Sequence, residues 1–163
     1  MNGRILPLTK GYYVLVDEED YDFLAQWKWH ACISPSGNVY AMRNSPPING
    51  KRTHIMMHRI INKTPDGFRT DHINGNGLDN RKSNLRTVTP VQNGQNRRPN
   101  KKGTSKYKGV FWHKQHCKWY AQIQVNKKSI FLGLFTDEDL AAKAYEKAAK
   151  EKFGEFNREI KYV

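Results

Sequence analysis

Apolar and polar positions alternate along the chain and then switch to helical spacing, several times over. Tyr12-Tyr13-Val14-Leu15-Val16 predicts a strand, and Asp17 to Leu24 a short helix with Asp17 as its cap. Trp27 to Ile33 and Val39 to Arg43 predict a hairpin across the turn Ser34-Pro35-Ser36-Gly37-Asn38. After the loop Pro46 to Gly50, Thr53 to Met57 predicts another strand. Residues 1–57 thus read as a small antiparallel platform with Trp27 and Trp29 in its core. His58 to Asn62 predicts a short helix, Phe68 to Ile73 and Leu85 to Val88 two strands around a polar loop. Thr89-Pro90 opens a helix to about Asn96, with Gln92 placed to complete a capping box. Residues 97–104 hold no apolar side chain and read as a basic linker. Beyond it, Tyr107 to Trp112, Trp119 to Val125 and Ser129 to Phe135 predict three strands. A helix capped by Thr136, with Asp139 as partner, places Leu140, Ala141, Ala144, Tyr145, Ala148, Ala149 and Phe153 on one face and ends at Gly154.

Composition narrows the classes. In 163 residues, 37% are hydrophobic and 12% aromatic, enough for small cores and too much for a disordered chain. No apolar run approaches the roughly 20 residues that span a bilayer. Met1-Asn2-Gly3-Arg4 leads into strand-like sequence rather than a signal-peptide core, so a soluble, cytoplasmic protein is expected. Cys32 and Cys117 imply neither a zinc knuckle nor a disulfide framework. The net charge is +13 and unevenly placed. Residues 1–57 hold six basic and five acidic residues, 58–93 six and three, 94–104 four and none, and 105–163 twelve and seven. The basic two-thirds should attract a polyanion, although charge alone does not choose among DNA, RNA and an anionic membrane.

The informative stretch runs from Asp71-His72 to Asn93. Asp71 and His72 end one predicted strand, and Asn93 lies on the first turn of the helix after the next. If hairpin and helix fold together, a carboxylate and a carboxamide oxygen converge, hard donors suited to Mg²⁺ or Mn²⁺. His72 would need the twist of a strand end to reach the same pocket, where a neutral imidazole could activate water. A polar hairpin rich in turn-forming Asn, Asp and Gly accounts for the same residues equally well.

Met57-His58-Arg59-Ile60-Ile61, Asp71-His72-x-x-Gly75-Asn76, Asp79-Asn80, Ser83-Asn84-Leu85-Arg86-x-Val88-Thr89 and Asn93 together resemble the ββα-metal motif of HNH endonucleases, in the branch found among phage and intron homing enzymes. The resemblance covers about 58–96. It implies His72 as general base, Asp71 and Asn93 as ligands of one divalent metal, and Asn84 as the brace of the loop carrying the base. Arg86 or Arg81 would clamp a phosphate, His58 would pack, and Asn96 is a fallback ligand. The implied reaction is hydrolysis of a DNA phosphodiester.

Tyr107-Lys108-Gly109-Val110, Trp119-x-Ala121-x-Ile123, Leu132-Gly133-x-Phe135, Ala141-Ala142-x-Ala144-Tyr145, Ala148-Ala149 and Gly154 with Asn157 resemble the apetala-two/ethylene-response-factor DNA-binding domain. That likeness implies a sheet lying in the major groove, with Lys108, Phe111, His113, Gln122, Gln124 and Phe131 at DNA-contact positions. Arg97, Arg98, Lys101 and Lys102 of the linker would track the backbone. Phe111, His113 and Gln124 replace arginines of the plant pattern, so its base preference does not carry over.

The expectation is therefore an α+β chain: an antiparallel β platform leading into a ββα-metal nuclease motif (1–96), a basic linker (97–104), and a three-stranded antiparallel sheet packed on one helix (105–163). The expected partner is double-stranded DNA, with no membrane and no small-molecule substrate, for a monomer or dimer. A repressor with a silent nuclease site and an RNA-binding factor are the competing readings; the narrow major groove of A-form RNA argues against the latter.

Overall fold

The first alternating stretch forms an antiparallel pair, β1 (Gly3–Pro7) and β2 (Tyr13–Asp17), with Ile5 opposite Leu15. Val14 and Val16 are fully buried while Tyr13 is exposed, as period-two alternation requires. The protein is described by a computed structural model over residues 3–95 and 103–156. Among these described residues it is α+β, built from small antiparallel sheets and four α-helices. No helix among the described residues is long and apolar enough to cross a membrane.

After β2 come α1 (Glu18–Ala25) and a three-stranded sheet of β3 (His30–Ile33), β4 (Val39–Asn44) and β5 (His54–Met56), ordered β3-β4-β5. The expected single platform is thus two sheets. A tight turn at Thr9–Gly11, with Lys10 at φ 62°, and then α1 turn the chain away, leaving one bridge between Leu8 and Trp29. Asp17 stands at the N-cap of α1 without capping it by a side-chain bond. Its carboxylate instead accepts from the Lys82 backbone N–H at 2.7 Å.

β5 runs directly into α2 (Met57–Ile61), followed by β6 (Arg69–His72), β7 (Leu85–Val88) and α3 (Pro90–Gln95). β6 and β7 are antiparallel, with Asp71 opposite Arg86 and His72 opposite Leu85. Thr89 and Gln92 form the capping box at α3: Thr89 N–H donates to Gln92 Oε1 at 2.8 Å, and Gln92 N–H to Thr89 Oγ1 at 3.2 Å. Leu6, Val14, Val16, Leu24, Trp29, Ala41, Met57 and Leu85 belong to one core, so β2, β4, α2 and β7 share an anchor.

The chain divides into two compact units, 1–93 and 94–163. In the second, β8 (Val110–His113), β9 (Lys118–Val125) and β10 (Lys128–Phe135) form an antiparallel sheet ordered β10-β9-β8, and α4 (Glu138–Phe153) packs on it. Val110, Ala121 and Ile123 meet Ala141, Ala142, Tyr145, Ala149 and Phe153 in its core. The alanines let helix and sheet approach closely. β8 begins at Val110 rather than Tyr107 because Gly109 turns the chain at φ 72°, where an added Cβ would lie 2.3 Å from the Tyr145 ring. The cap of α4 is Asp137, not Thr136: its carboxylate accepts from the Asp139 and Leu140 backbone N–H groups.

Candidate active site

β6 ends at His72, and its ring is held from the loop that follows. His72 Nε2 lies 2.7 Å from Asn80 Oδ1, in a buried contact. A carboxamide oxygen only accepts, so the imidazole carries its proton on Nε2 and its basic lone pair on Nδ1. Burial pushes the His72 imidazole below its ordinary pKa, although the Asn80 bond and the charges of Asp71 and Asp79 pull the other way. His72 is therefore neutral near pH 7, the form a base needs. Two rings flank it, His58 edge-on at 5.1 Å and Tyr40 at 5.9 Å between centroids. Burial pushes His58 down to about 3, with the charges of His72 and Arg59 acting the same way. The His58 Nδ1 and Asn80 Nδ2 atoms are each buried without a hydrogen-bond partner.

The loop 73–84 is fixed at several points. Asn84 accepts from the Asn74 backbone N–H at 3.0 Å and donates through Nδ2 to the Asp79 carbonyl at 2.7 Å. The Asp79 carboxylate accepts from Arg81 Nε and a terminal guanidinium nitrogen, each at 2.8 Å, and from Asn74 Nδ2 at 2.9 Å. Hydrogen bonding and charge from Arg81 hold the Asp79 carboxyl below its usual value. Backbone bonds then lace the loop to β2: Leu15 N–H to the Leu78 carbonyl and Asn80 N–H to the Leu15 carbonyl.

Asp71 is buried, and its Oδ2 accepts from Arg86 Nε at 2.9 Å and a terminal guanidinium nitrogen at 2.8 Å. The pair sits directly across the β6–β7 ladder, where opposite charges attract best. Arg86, expected to face phosphate, is thus engaged by the neighbouring carboxylate. Asn93 is half-buried on the first turn of α3, which follows β7 after Thr89 alone. Among the described residues, no three His, Cys, Asp or Glu side chains gather into a metal cage. One carboxylate and one carboxamide are instead the donor set of a hard divalent ion that keeps water and takes phosphate oxygens. Asp71 and Asn93 fit such an ion by their chemistry.

Of the side chains around His72, sequence reasoning expected His58 only to pack and gave Asn80 no role beyond its place in the motif, and Tyr40 was not singled out. The Asp79-Asn80 pair was the one available signal, eight residues past His72.

In the second unit, Phe111, His113, Gln122, Gln124 and Phe131 lie on the sheet face opposite the α4 core. Lys108 precedes the sheet, and its Nζ donates to the Gly94 and Gln95 carbonyls at 3.2 and 2.7 Å. It is therefore a tether within this unit, unlike the sheet-face residues. Arg97, Arg98, Lys101, Lys102 and Asn96 lie outside the described residues.

Residues 56–95, the segment holding His72 and its supports, match the family model described as HNH endonuclease. The chain carries an HNH endonuclease domain. It is 28% identical over 160 residues to an uncharacterized HNH endonuclease of Acanthamoeba polyphaga mimivirus, across 93% of this chain and 76% of that one. It is 35% identical over 78 residues to protein 3.8 of Escherichia phage T7, across 47% of this chain and 64% of that one. An AP2-like ethylene-responsive transcription factor of Arabidopsis thaliana is 44% identical over 50 residues, 29% of this chain and 9% of that protein. No solved structure matches the chain. The HNH domain makes this protein a nuclease with DNA as its substrate class, and HNH endonucleases generally use a divalent metal ion.

Proposed function

We propose that this HNH nuclease is a metal-dependent endonuclease that hydrolyses phosphodiester bonds of double-stranded DNA at sites chosen by its second unit, in the manner of mobile, homing-type enzymes. His72 Nδ1 takes a proton from water as that oxygen attacks phosphorus and the bond to the leaving 3′ oxygen breaks. Asn80 holds the ring in the tautomer this requires, and Asn84 holds the loop that carries Asn80. Asp71 and Asn93 would hold one Mg²⁺ or Mn²⁺, which supplies charge stabilisation at the phosphate when bound. Arg86 orients the Asp71 carboxylate. The observation that carries the reading is the buried His72–Asn80 bond inside the HNH-matching segment, which keeps a neutral base with a defined proton position.

Incubating plasmid and genomic DNA with the protein in Mg²⁺, in Mn²⁺ and in EDTA tests it. Cleavage is expected with either ion, none in EDTA, and none by His72→Ala, which still binds DNA. Cleavage by His72→Ala at the wild-type rate would remove His72 from the chemistry, and cleavage in EDTA would remove the metal. A DNA-binding repressor with a silent nuclease site is the second reading, favoured by the Arg86 guanidinium already balancing Asp71. No cleavage of any DNA by the wild-type protein would select it.

A further inference from the structure

The open face of the second sheet carries a restricted set of side chains. Phe111 and His113 point out from β8, Lys118, Tyr120, Gln122 and Gln124 from β9, and Ser129, Phe131 and Leu134 from β10. A bulge between Phe131 and Gly133 turns Leu132 toward the core, so that Phe131 keeps its outward position. Phe131 is 55% exposed, so its ring is open to a partner. Tyr120 lies between Phe111 at 4.6 Å and Phe131 at 4.8 Å, so the aromatic rings form one braced row. Gln122 stands beside Phe131 across the ladder, with the bare Gly109 on its other side.

Charge fits this face to DNA. Residues 103–136 hold six lysines and no acidic residue, whereas the acids of this unit begin at Asp137, on the helix behind the sheet. No arginine occurs between residues 99 and 157, so the sheet lacks the guanidinium fork that reads guanine. What it offers base edges is two carboxamides and two phenyl rings. A glutamine side chain pairs bidentately with N6 and N7 of adenine, and an aromatic ring packs on the 5-methyl of thymine.

Resting on the reading of this unit as the part that selects DNA, we infer that the sheet recognises A·T base pairs in the major groove. Gln122 and Gln124 bind adenine edges, while Phe131 and Phe111 contact thymine methyls. The exposed lysines Lys114, Lys118, Lys127 and Lys128 supply sequence-independent attraction to phosphate.

Fluorescence anisotropy on the full chain in EDTA, where DNA stays intact, tests this with A·T-rich and G·C-rich duplexes of equal length. The A·T-rich pool is expected to bind about tenfold tighter or more. Replacing thymine by uracil in that pool, which removes only the methyl, should weaken binding severalfold without touching the protein. Gln122→Ala with Gln124→Ala should bring the two pools to equal affinity while binding itself persists. Equal affinity of the wild-type protein for both pools overturns the inference. So does an A·T preference that survives both the uracil exchange and the glutamine changes, because a minor-groove reader would behave that way. If Lys118→Ala with Lys127→Ala, Phe131→Ala and the glutamine pair all leave affinity for every duplex unchanged, the sheet does not face DNA and the underlying reading fails instead.

Discussion

Acidification from pH 7 to pH 5 should destabilise the first unit by about 2 kcal/mol through His58 alone. Its imidazole is pushed from the ordinary 6.5 down to about 3, chiefly by burial. The unfolded chain therefore takes up a proton near pH 6.5 that the folded chain refuses until near pH 3. Between those values the unfolded state holds more protons, so the stability present above pH 6.5 drains away as pH falls toward 3. Each unit in that window costs about 1.4 kcal/mol, and pH 5 lies about one and a half units into it. The result barely depends on the folded value so long as that stays near 4 or below. His72, also pushed down by burial, adds in the same direction. The rings are 5.1 Å apart, so a proton on one opposes a proton on the other, and the two effects do not simply double. The matched control is His58→Phe, which keeps an aromatic ring against Tyr40 and His72 and cannot titrate. Urea unfolding of both proteins at pH 7 and pH 5 gives the contribution of His58 together with its coupling to His72, the other titrating groups being common to both. Wild type should lose about 2 kcal/mol more than His58→Phe. Equal losses would show that His58 is protonated as readily when folded as when unfolded, and the reading of a buried, neutral His58 would be wrong.

Two further changes probe the same hairpin. Asn80→Ala deletes the acceptor that fixes the His72 tautomer and should slow cleavage roughly 10- to 100-fold with DNA affinity intact; single-turnover rates on a mapped cut site measure it, and an unchanged rate would deny Asn80 its orienting role. Arg86→Ala leaves a buried carboxylate without its counter-charge and should cost about 3–5 kcal/mol of stability in thermal unfolding at neutral pH. Arg86→Lys should recover part of that loss, since a lysine restores the charge but not the two-pronged geometry.

Local signals explain which features were legible in the sequence. Leu85 to Val88 reads as a strand from its own alternation, and the Thr89 and Gln92 box at α3 needs no residue outside its own turn. The Asp71–Arg86 pairing was hidden because facing positions depend on ladder register, which the irregular loop between β6 and β7 does not reveal. Asn80 was hidden for a related reason. In a run of Asn, Asp and Gly every residue reads as turn-forming, and what selects Asn80 is the shape the loop takes on the rest of the unit. The caps show the same competition at short range. Thr136 and Asp137 both suit the start of α4, and the one-residue choice falls to the carboxylate that reaches two backbone N–H groups. Asp17 has the sequence of a cap, yet a loop 65 residues later takes its carboxylate.

That last contact bears on how the active site is held. Three bonds tie the loop carrying Asn80 to β2 and its end: Leu15 accepts from Asn80 and donates to Leu78 through its backbone, and Asp17 accepts from Lys82. β2 in turn is fixed by Val14 and Val16, both fully buried in the core that Met57 and Leu85 also enter. The flanking histidine follows Met57 directly, and Leu85 stands across the ladder from His72. One hydrophobic core therefore sets the position of His72, of the side chain that fixes its tautomer, and of the ring packed against it. Backbone hydrogen bonds to β2 do not depend on which side chains the loop carries, so the loop can vary its outward residues without moving Asn80. His72 is thus held by the small N-terminal sheets as much as by the hairpin that bears it, and under the proposed mechanism those sheets would support the base without any of their side chains touching DNA.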